Sequence, residues 1–152
     1  MANELHAAKF VQVIAPVAIV DNASWTTVEI DTLDYDYATI IFNLGATDIA
    51  MVALEVHQSD TAGSGHALIA GADADGGTDI DGNTAALPSA TDDGTVVVFQ
   101  IDLKGKKRYL DLIATAGDGA AGTFASAVAV LTKAAVAPES VSDAGCETLI
   151  RV

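Results

Sequence analysis

The chain has 152 residues and a formal net charge of -14, from 21 acidic and 7 basic side chains. Its length fits one domain with a sizeable core, and its acidity opposes binding to nucleic acid or to anionic membranes. A hydrophobic fraction of 51% with an aromatic fraction of 5% predicts an aliphatic core, and the single cysteine, Cys146, excludes an intrachain disulfide.

The first segments predict strands. Residues 10–20 are apolar but contain Pro16, which predicts an edge strand or two short strands, because proline cannot donate within a central ladder. Residues 24–33 alternate and predict a half-solvated strand. Trp25 opens it on the polar face. This side chain is a candidate contact for a partner or a sugar ring, with packing against a neighbouring loop as the alternative.

Two more alternating runs follow, at residues 38–44 and 50–58. In the second run the pattern places Val52 inward and Met51 outward. The intervening GATDI sequence, residues 45–49, predicts a hairpin loop.

A long loop is expected over residues 59–94, which are rich in Gly, Asp, Ala, Thr and Ser. An apolar island at residues 67–69 predicts one short strand within it. Calcium binds carboxylate and carbonyl oxygens, but the loop lacks the Gly and Glu positions of an EF-hand. We therefore expect a solvated acidic loop, with weak candidate calcium ligands at Asp73, Asp75, Asp79 and Asp81.

Residues 95–115 form two alternating runs joined by a turn that contains Gly105, which predicts a β-hairpin. The predicted inward residues are Val97, Phe99, Ile101, Leu103, Leu110, Leu112 and Ala114. Four of the seven basic residues lie at the turn and are candidate contacts for a partner: Lys104, Lys106, Lys107 and Arg108. A basic turn that is merely solvated is the alternative.

A last strand is expected at residues 122–133, followed by a polar tail. The whole chain is then a single all-β domain, an antiparallel β-sandwich that is jelly-roll-like. Residues 10–133 form its core, with an N-terminal arm at 1–9 and an extended C-terminal arm at 134–152. No apolar run approaches the roughly 20 residues that a membrane span needs, and we expect a soluble protein made in a cytoplasm.

The sequence offers little for catalysis. The histidines, His6, His57 and His66, lack the spacing of metal ligands, and no nucleophile elbow or phosphate loop occurs. Asp34 and Asp36 flank Tyr35 but lie on one side of a turn. We expect no enzyme and no required cofactor.

Three runs resemble small proteins encoded beside the major capsid protein of tailed bacteriophages: WTTVEIDTLDYDYATIIFNLG, TVVVFQIDLKGKKRYLDLIATAGDG and GTFASAVAVLTKA. The shared features are an Asp-Tyr strand at 36–40, an Ile-Asp-Leu-Lys-Gly turn at 101–105 and an Arg-Tyr-Leu strand at 108–110. The resemblance implies a capsid decoration, or cement, protein on the outer surface of the virion. Its implied partner is the major capsid protein, it often forms trimers, and the family has no catalytic residues.

A carbohydrate-binding or adhesion module is the other hypothesis. It would use the acidic loop with calcium, and Trp25 or Tyr35 as a stacking platform. The small number of aromatic residues weighs against it.

Overall fold

A computed structural model describes residues 4–17 and 19–149 of the chain. In this part of the chain a short 3-10 helix and eight strands occur, and the strands form two four-stranded antiparallel sheets. The predicted β-sandwich is therefore confirmed. The helix spans Glu4–Ala7, and the strands are β1 (Lys9–Ile14), β2 (Ile30–Asp31), β3 (Tyr37–Leu44), β4 (Ala53–Ser59), β5 (Ala67–Asp73), β6 (Val96–Asp102), β7 (Tyr109–Thr115) and β8 (Ala125–Thr132).

The strand order is nested. One sheet has the order β1-β8-β3-β6 and the other has the order β2-β7-β4-β5. The first strand thus pairs with the last, the second with the seventh, the third with the sixth and the fourth with the fifth. Among the eight strands, only β4 and β5 are consecutive neighbours in one sheet, so every other connection crosses from sheet to sheet.

Two hairpins were predicted, one over residues 95–115 and one with its loop at residues 45–49, and both predictions were wrong. β6 pairs with β3, whereas β7 pairs with β4 and β2. Residues 103–108 therefore cross between the sheets, and so do residues 45–52, which contain the GATDI sequence. Alternation predicts a strand and its inward face, but it does not choose the neighbouring strand.

The core lies between the sheets, and the predicted inward faces mostly point into it. Leu110, Leu112 and Ala114 are buried, and so is Ile101 of β6. The exception precedes β4, where Met51 is 3% exposed and Val52 is 62% exposed. That prediction was wrong because β4 begins only at Ala53, so strand alternation does not apply to the two preceding residues.

Trp25 belongs to this core. Its side chain is only 6% exposed, and its ring meets Phe42 edge-on at a centroid distance of 6.2 Å. Its backbone N–H donates to the carbonyl of Ala114 in one sheet, and the N–H of Val28 donates to Val13 in the other. Because this segment bonds to both sheets, only Ile30–Asp31 of the predicted strand at 24–33 is a strand.

The edges of the sandwich match the proline and loop predictions. β1 is an edge strand and ends at Ile14, two residues before Pro16, as predicted. The short strand predicted in the long loop exists as β5. Beyond it, residues 74–95 contain an isolated bridge between Thr78 and Thr84.

The C-terminal segment, predicted as an extended arm, folds back on β1 in its described part. Ala144 is fully buried, and its carbonyl accepts a 2.7 Å hydrogen bond from the N–H of Phe10. At Gly145, which has a φ of +71°, an added Cβ would lie 2.0 Å from the carbonyl oxygen of Phe10. Residues 1–3 and 150–152 of the predicted arms lie outside the described residues.

Candidate functional site

The two ends of the sandwich differ in the loops that they carry. β6 ends and β7 begins at one end, which also holds the connections at 32–36 and 60–66. The opposite end holds the connections at 15–17 with 19–29, at 45–52, at 74–95 and at 116–124. We call the first the basic end and the second the acidic end, for the charges described next.

The lysines and arginines of the described chain lie at only one of these ends, where they are mixed with carboxylates, namely those of Asp31, Asp34, Asp36, Asp60 and Asp102. Every basic residue of the described chain lies at the basic end, either in its loops or in the strand termini beside them: Lys9, Lys104, Lys106, Lys107, Arg108 and Lys133. The loops of the acidic end, within the described residues, carry no lysine or arginine. They hold eight aspartates instead: Asp21, Asp48, Asp75, Asp79, Asp81, Asp92, Asp93 and Asp118. Among the described residues, positive charge of lysine and arginine is therefore found at the basic end alone, whereas the loops of the acidic end carry only negative charge.

The basic turn, residues 103–108, is an exposed and well-bonded connection. The carboxylate of Asp102 accepts a 2.9 Å hydrogen bond from the N–H of Lys104, and the N–H of Lys106 donates to Leu103 at 2.9 Å. Gly105 has a φ of +74°, which suits glycine. Neither Lys104 nor Lys106 forms an ion pair with another described residue, so both ammonium groups are available to a partner.

Arg108 has a structural contact instead. Its guanidinium donates to both oxygens of the Asp31 carboxylate at 2.8 Å and lies 4.9 Å from the centroid of the Tyr109 ring. These hydrogen bonds lower the pKa of Asp31, and the same carboxylate raises the pKa of Arg108. Because Asp31 lies opposite Tyr109 in the β2–β7 ladder, the pair ties the two strands together.

Lys107 is intermediate between Lys104 and Lys106, whose ammonium groups have no ion pair in the described structure, and Arg108, which is held by Asp31. Its N–H donates to the amide oxygen of Gln58 at 3.0 Å, and its ammonium lies 3.7 Å from a carboxylate oxygen of the exposed Asp60. An exposed pair at this distance contributes little to stability. The four predicted contact residues thus lie together in the basic turn. Among the described residues, the ammonium groups of Lys104 and Lys106 are the two of this set without an ion pair.

A cleft of about 490 Å³ opens beside the basic turn. Two tyrosines, two aspartates and two lysines line the cleft. The Nζ atom of Lys133 lies 4.8 Å from the centroid of the Tyr37 ring. Burial, followed by the charges of Asp143 and Asp34, raises the pKa of Tyr35. The cleft is lined by Tyr35, Asp36, Tyr37, Asp102, Leu103, Lys104 and Lys133. No sequence pattern pointed to Tyr37 and Lys133, because only the pairing of β3 with β8 brings them together.

Trp25 is not part of this surface. Of the two alternatives for Trp25, the structure shows packing, because the indole is buried against Phe42 in the core and its ring is not exposed to a partner. Its position at the start of an alternating run suggested a polar face. The segment is not a strand at that point, so alternation did not apply.

The aspartates of the acidic loop serve as local caps for turns. One carboxylate oxygen of Asp73 accepts from the N–H of Asp75 at 2.7 Å, and one of Asp79 accepts from Asp81 and Asn83 at 2.9 and 2.8 Å. In the part of the chain that the structure describes, no group of three or more His, Cys, Asp or Glu is placed to hold a metal ion. Calcium binding stays an untested prediction.

Comparison of the chain with models of protein families, with curated proteins and with solved structures finds no match in any of the three. Over the residues that the structure covers, no helix has the length and apolar character needed to cross a bilayer. The resemblance to capsid decoration proteins therefore stays a prediction.

Proposed function

We propose that this chain is a structural virion protein that binds the outer surface of a phage capsid and stabilises contacts between major capsid protein subunits. The observation that carries this proposal is that all lysines and arginines of the described chain lie at one end of the sandwich. A protein with a net charge of -14 is repelled by most acidic surfaces. The end that gathers its lysines is the part of the described chain that can pair with carboxylates of such a surface.

The position of the basic residues also gives the docking an orientation. The basic turn would face the capsid, where Lys104 and Lys106 can pair with carboxylates of the shell. The acidic end would face solvent, where its aspartates repel neighbouring particles. Such contacts act over about one Debye length, roughly 10 Å at 0.1 M salt, so binding should weaken as salt rises.

The fold is compatible with this role. The nested strand order, with β1 beside β8 and β4 beside β5, supports the finer prediction of a jelly roll. Jelly rolls occur in viral capsid proteins and in lectins, so the fold alone does not choose between capsid binding and carbohydrate binding.

The experiment is co-sedimentation of the purified protein with phage heads that lack it, at low and high salt. Replacing both Lys104 and Lys106 by Ser should weaken binding by about tenfold or more, because two unpaired charges leave the interface. It should also flatten the salt dependence. The matched control replaces Lys9 and Lys133 by Ser, which removes the same charge from the same end but leaves the basic turn intact.

Saturable binding at a fixed ratio to the capsid subunit, lost in the first variant and kept in the control, supports the proposal. Unchanged occupancy of heads by the Lys104→Ser, Lys106→Ser variant contradicts the role of the turn. Absence of binding by the unmodified protein contradicts the proposed function itself.

The cleft beside the basic turn favours carbohydrate binding as a second candidate. Tyr35 and Tyr37 offer aromatic rings, and Asp36 and Asp102 offer carboxylates for sugar hydroxyls. A rise in melting temperature with a glycan, abolished by Tyr37→Ala and kept in Lys106→Ser, would support this alternative. The control is informative because Lys106 lies on the turn but does not line the cleft.

A further inference from the structure

The two sheets have four edge strands, and three of them are protected. β1 is covered by the C-terminal segment, since the N–H of Phe10 donates to Ala144. β2 has only two residues. β5 is interrupted, because its register with β4 shifts between Glu55 and His57, and Gly71 has a φ of +85°. Short, bulged and covered edges are the usual defences against strand pairing.

β6 has none of these defences. It keeps an unbroken register with β3 over seven residue pairs. The hydrogen bonds at the two ends of this ladder show which residues of β6 bond to β3. The N–H of Leu44 donates to the carbonyl of Thr95, and the N–H of Leu103 donates to the carbonyl of Asp36. The odd-numbered residues of β6 therefore direct their backbone groups to β3. The even-numbered residues Val96, Val98 and Gln100 direct theirs to the open edge, where no described residue bonds them.

The side chains along this edge suit a buried contact. Val96 is 56% exposed and Val98 is 45% exposed. No charged residue occurs from 94 to 101, in a chain that carries 28 charged side chains in all. The inward residues Val97 and Phe99 are only half-buried, so the core itself is incomplete at this edge.

We propose that β6 pairs with β6 of a second copy of this chain, antiparallel about a two-fold axis at Val98. In this register Val98 faces Val98, and Val96 faces Gln100. Lys104 of each copy then approaches the turn before the other strand, which carries Asp92 and Asp93. If the two-fold axis lay at residue 97 instead, Asp92 of one copy would face Asp102 of the other. If it lay at residue 99, Val96 would face Asp102. The charges therefore favour the register centred on Val98.

The net charge explains why this edge would be chosen for self-association. Two copies at -14 each repel one another, and an uncharged strand is where they can meet at least electrostatic cost. Screening lowers that repulsion, so added salt should strengthen the dimer. Binding of the basic turn to a capsid should respond to salt in the opposite direction, which separates this inference from the proposed function.

The first test is sedimentation velocity of the full chain over a concentration series. Val98→Lys places a charge at the two-fold axis and should raise the dimer dissociation constant by about tenfold or more. Thr39→Lys is the matched control, because Thr39 lies opposite Gln100 on the inner neighbour, β3, and adds the same charge away from the edge. Dimerisation lost in the first variant and kept in the second supports edge pairing.

The second test measures register. In a background with Cys146→Ser, Val98→Cys should form a symmetric disulfide under an added oxidant, because directly opposite hydrogen-bonded residues have Cα atoms about 5.5 Å apart. Val96→Cys should cross-link poorly, since each new cysteine would face Gln100.

Three results would overturn the inference. They are a monomer at every concentration up to about 1 mM, equal weakening by Val98→Lys and Thr39→Lys, and cross-linking at position 96 that equals or exceeds that at position 98. A trimer that Val98→Lys leaves intact would likewise assign self-association to another surface.

Discussion

Trp25 packs its indole edge against the ring of Phe42, and its Nε1 has no hydrogen-bond partner in the described structure. The side chain therefore contributes through volume and apolar contact. We expect Trp25→Ala to lower the free energy of unfolding by about 3–5 kcal/mol, as truncation of a large buried ring does. Trp25→Phe should cost less, because it keeps a ring and loses no hydrogen bond.

Denaturant unfolding measures both variants of Trp25. A Trp25→Ala protein as stable as the unmodified chain but impaired in binding to heads would restore the surface role that the buried position contradicts.

Arg108 and Asp31 predict a pH dependence of stability. The hydrogen bonds from Arg108 hold the pKa of Asp31 below its usual 3.8. The ionised form of Asp31 therefore stabilises the fold above about pH 3.8, and this contribution is lost as the pH falls through the lowered value. Arg108→Gln should reduce the melting temperature at neutral pH, and the difference from the unmodified protein should shrink on acidification.

Melting curves from neutral pH down to about pH 2, well below the usual pKa of an aspartate, test this dependence. Lys107→Gln is the control, because the Lys107–Asp60 pair is longer and more exposed and should change little at any pH. If the melting temperature of Arg108→Gln stays below that of the unmodified protein by the same amount at every pH, the variant has lost packing and not the ion pair.

Among the strands, β3 is central, between β8 and β6, and the sheet assignment of β6 depends on its ladder with β3. Thr39 and Gln100 form a pair that is not hydrogen-bonded, for which the Cα atoms approach to about 4.5 Å. We expect a strong Hα–Hα contact between them in nuclear Overhauser spectra. A hairpin of β6 with β7 would instead place Ile101 opposite Leu110, and a backbone contact there would contradict the observed topology.

Over the molecule as a whole, charge at the acidic end should influence association without holding the fold. The carboxylates of Asp75 and Asp81 accept no hydrogen bond from another described residue. Replacing both by Asn removes two negative charges. It should change the free energy of unfolding by no more than about 0.5 kcal/mol.

The same variant should dimerise more strongly, because the repulsion between copies falls. Melting with and without calcium, for the variant and the unmodified protein, also tests the acidic loop, and we expect no shift in either. A calcium-induced rise that only the unmodified protein shows would revive the calcium site.

The amino-acid pattern was enough to predict the class of fold, most of the strands and most of their inward faces, because alternation is a local property of the chain. It predicted β1 as an edge from Pro16 and β5 from three apolar residues. It also located the basic turn, because Lys104, Lys106, Lys107 and Arg108 are neighbours in the chain. Where a segment was not a strand, as around Trp25 and Val52, the same alternation assigned the wrong face.

Strand pairing, in contrast, emerged only in three dimensions. Alternation carries no information about partners, so it predicts a hairpin of β6 and β7, although these strands belong to opposite sheets. The nested topology then gathered distant residues: it placed Lys133 over Tyr37, bound Arg108 to Asp31 and left β6 open at its edge. It also gathered the lysines and arginines of the described chain at one end, because residues far apart in sequence share an end only when their strands run side by side.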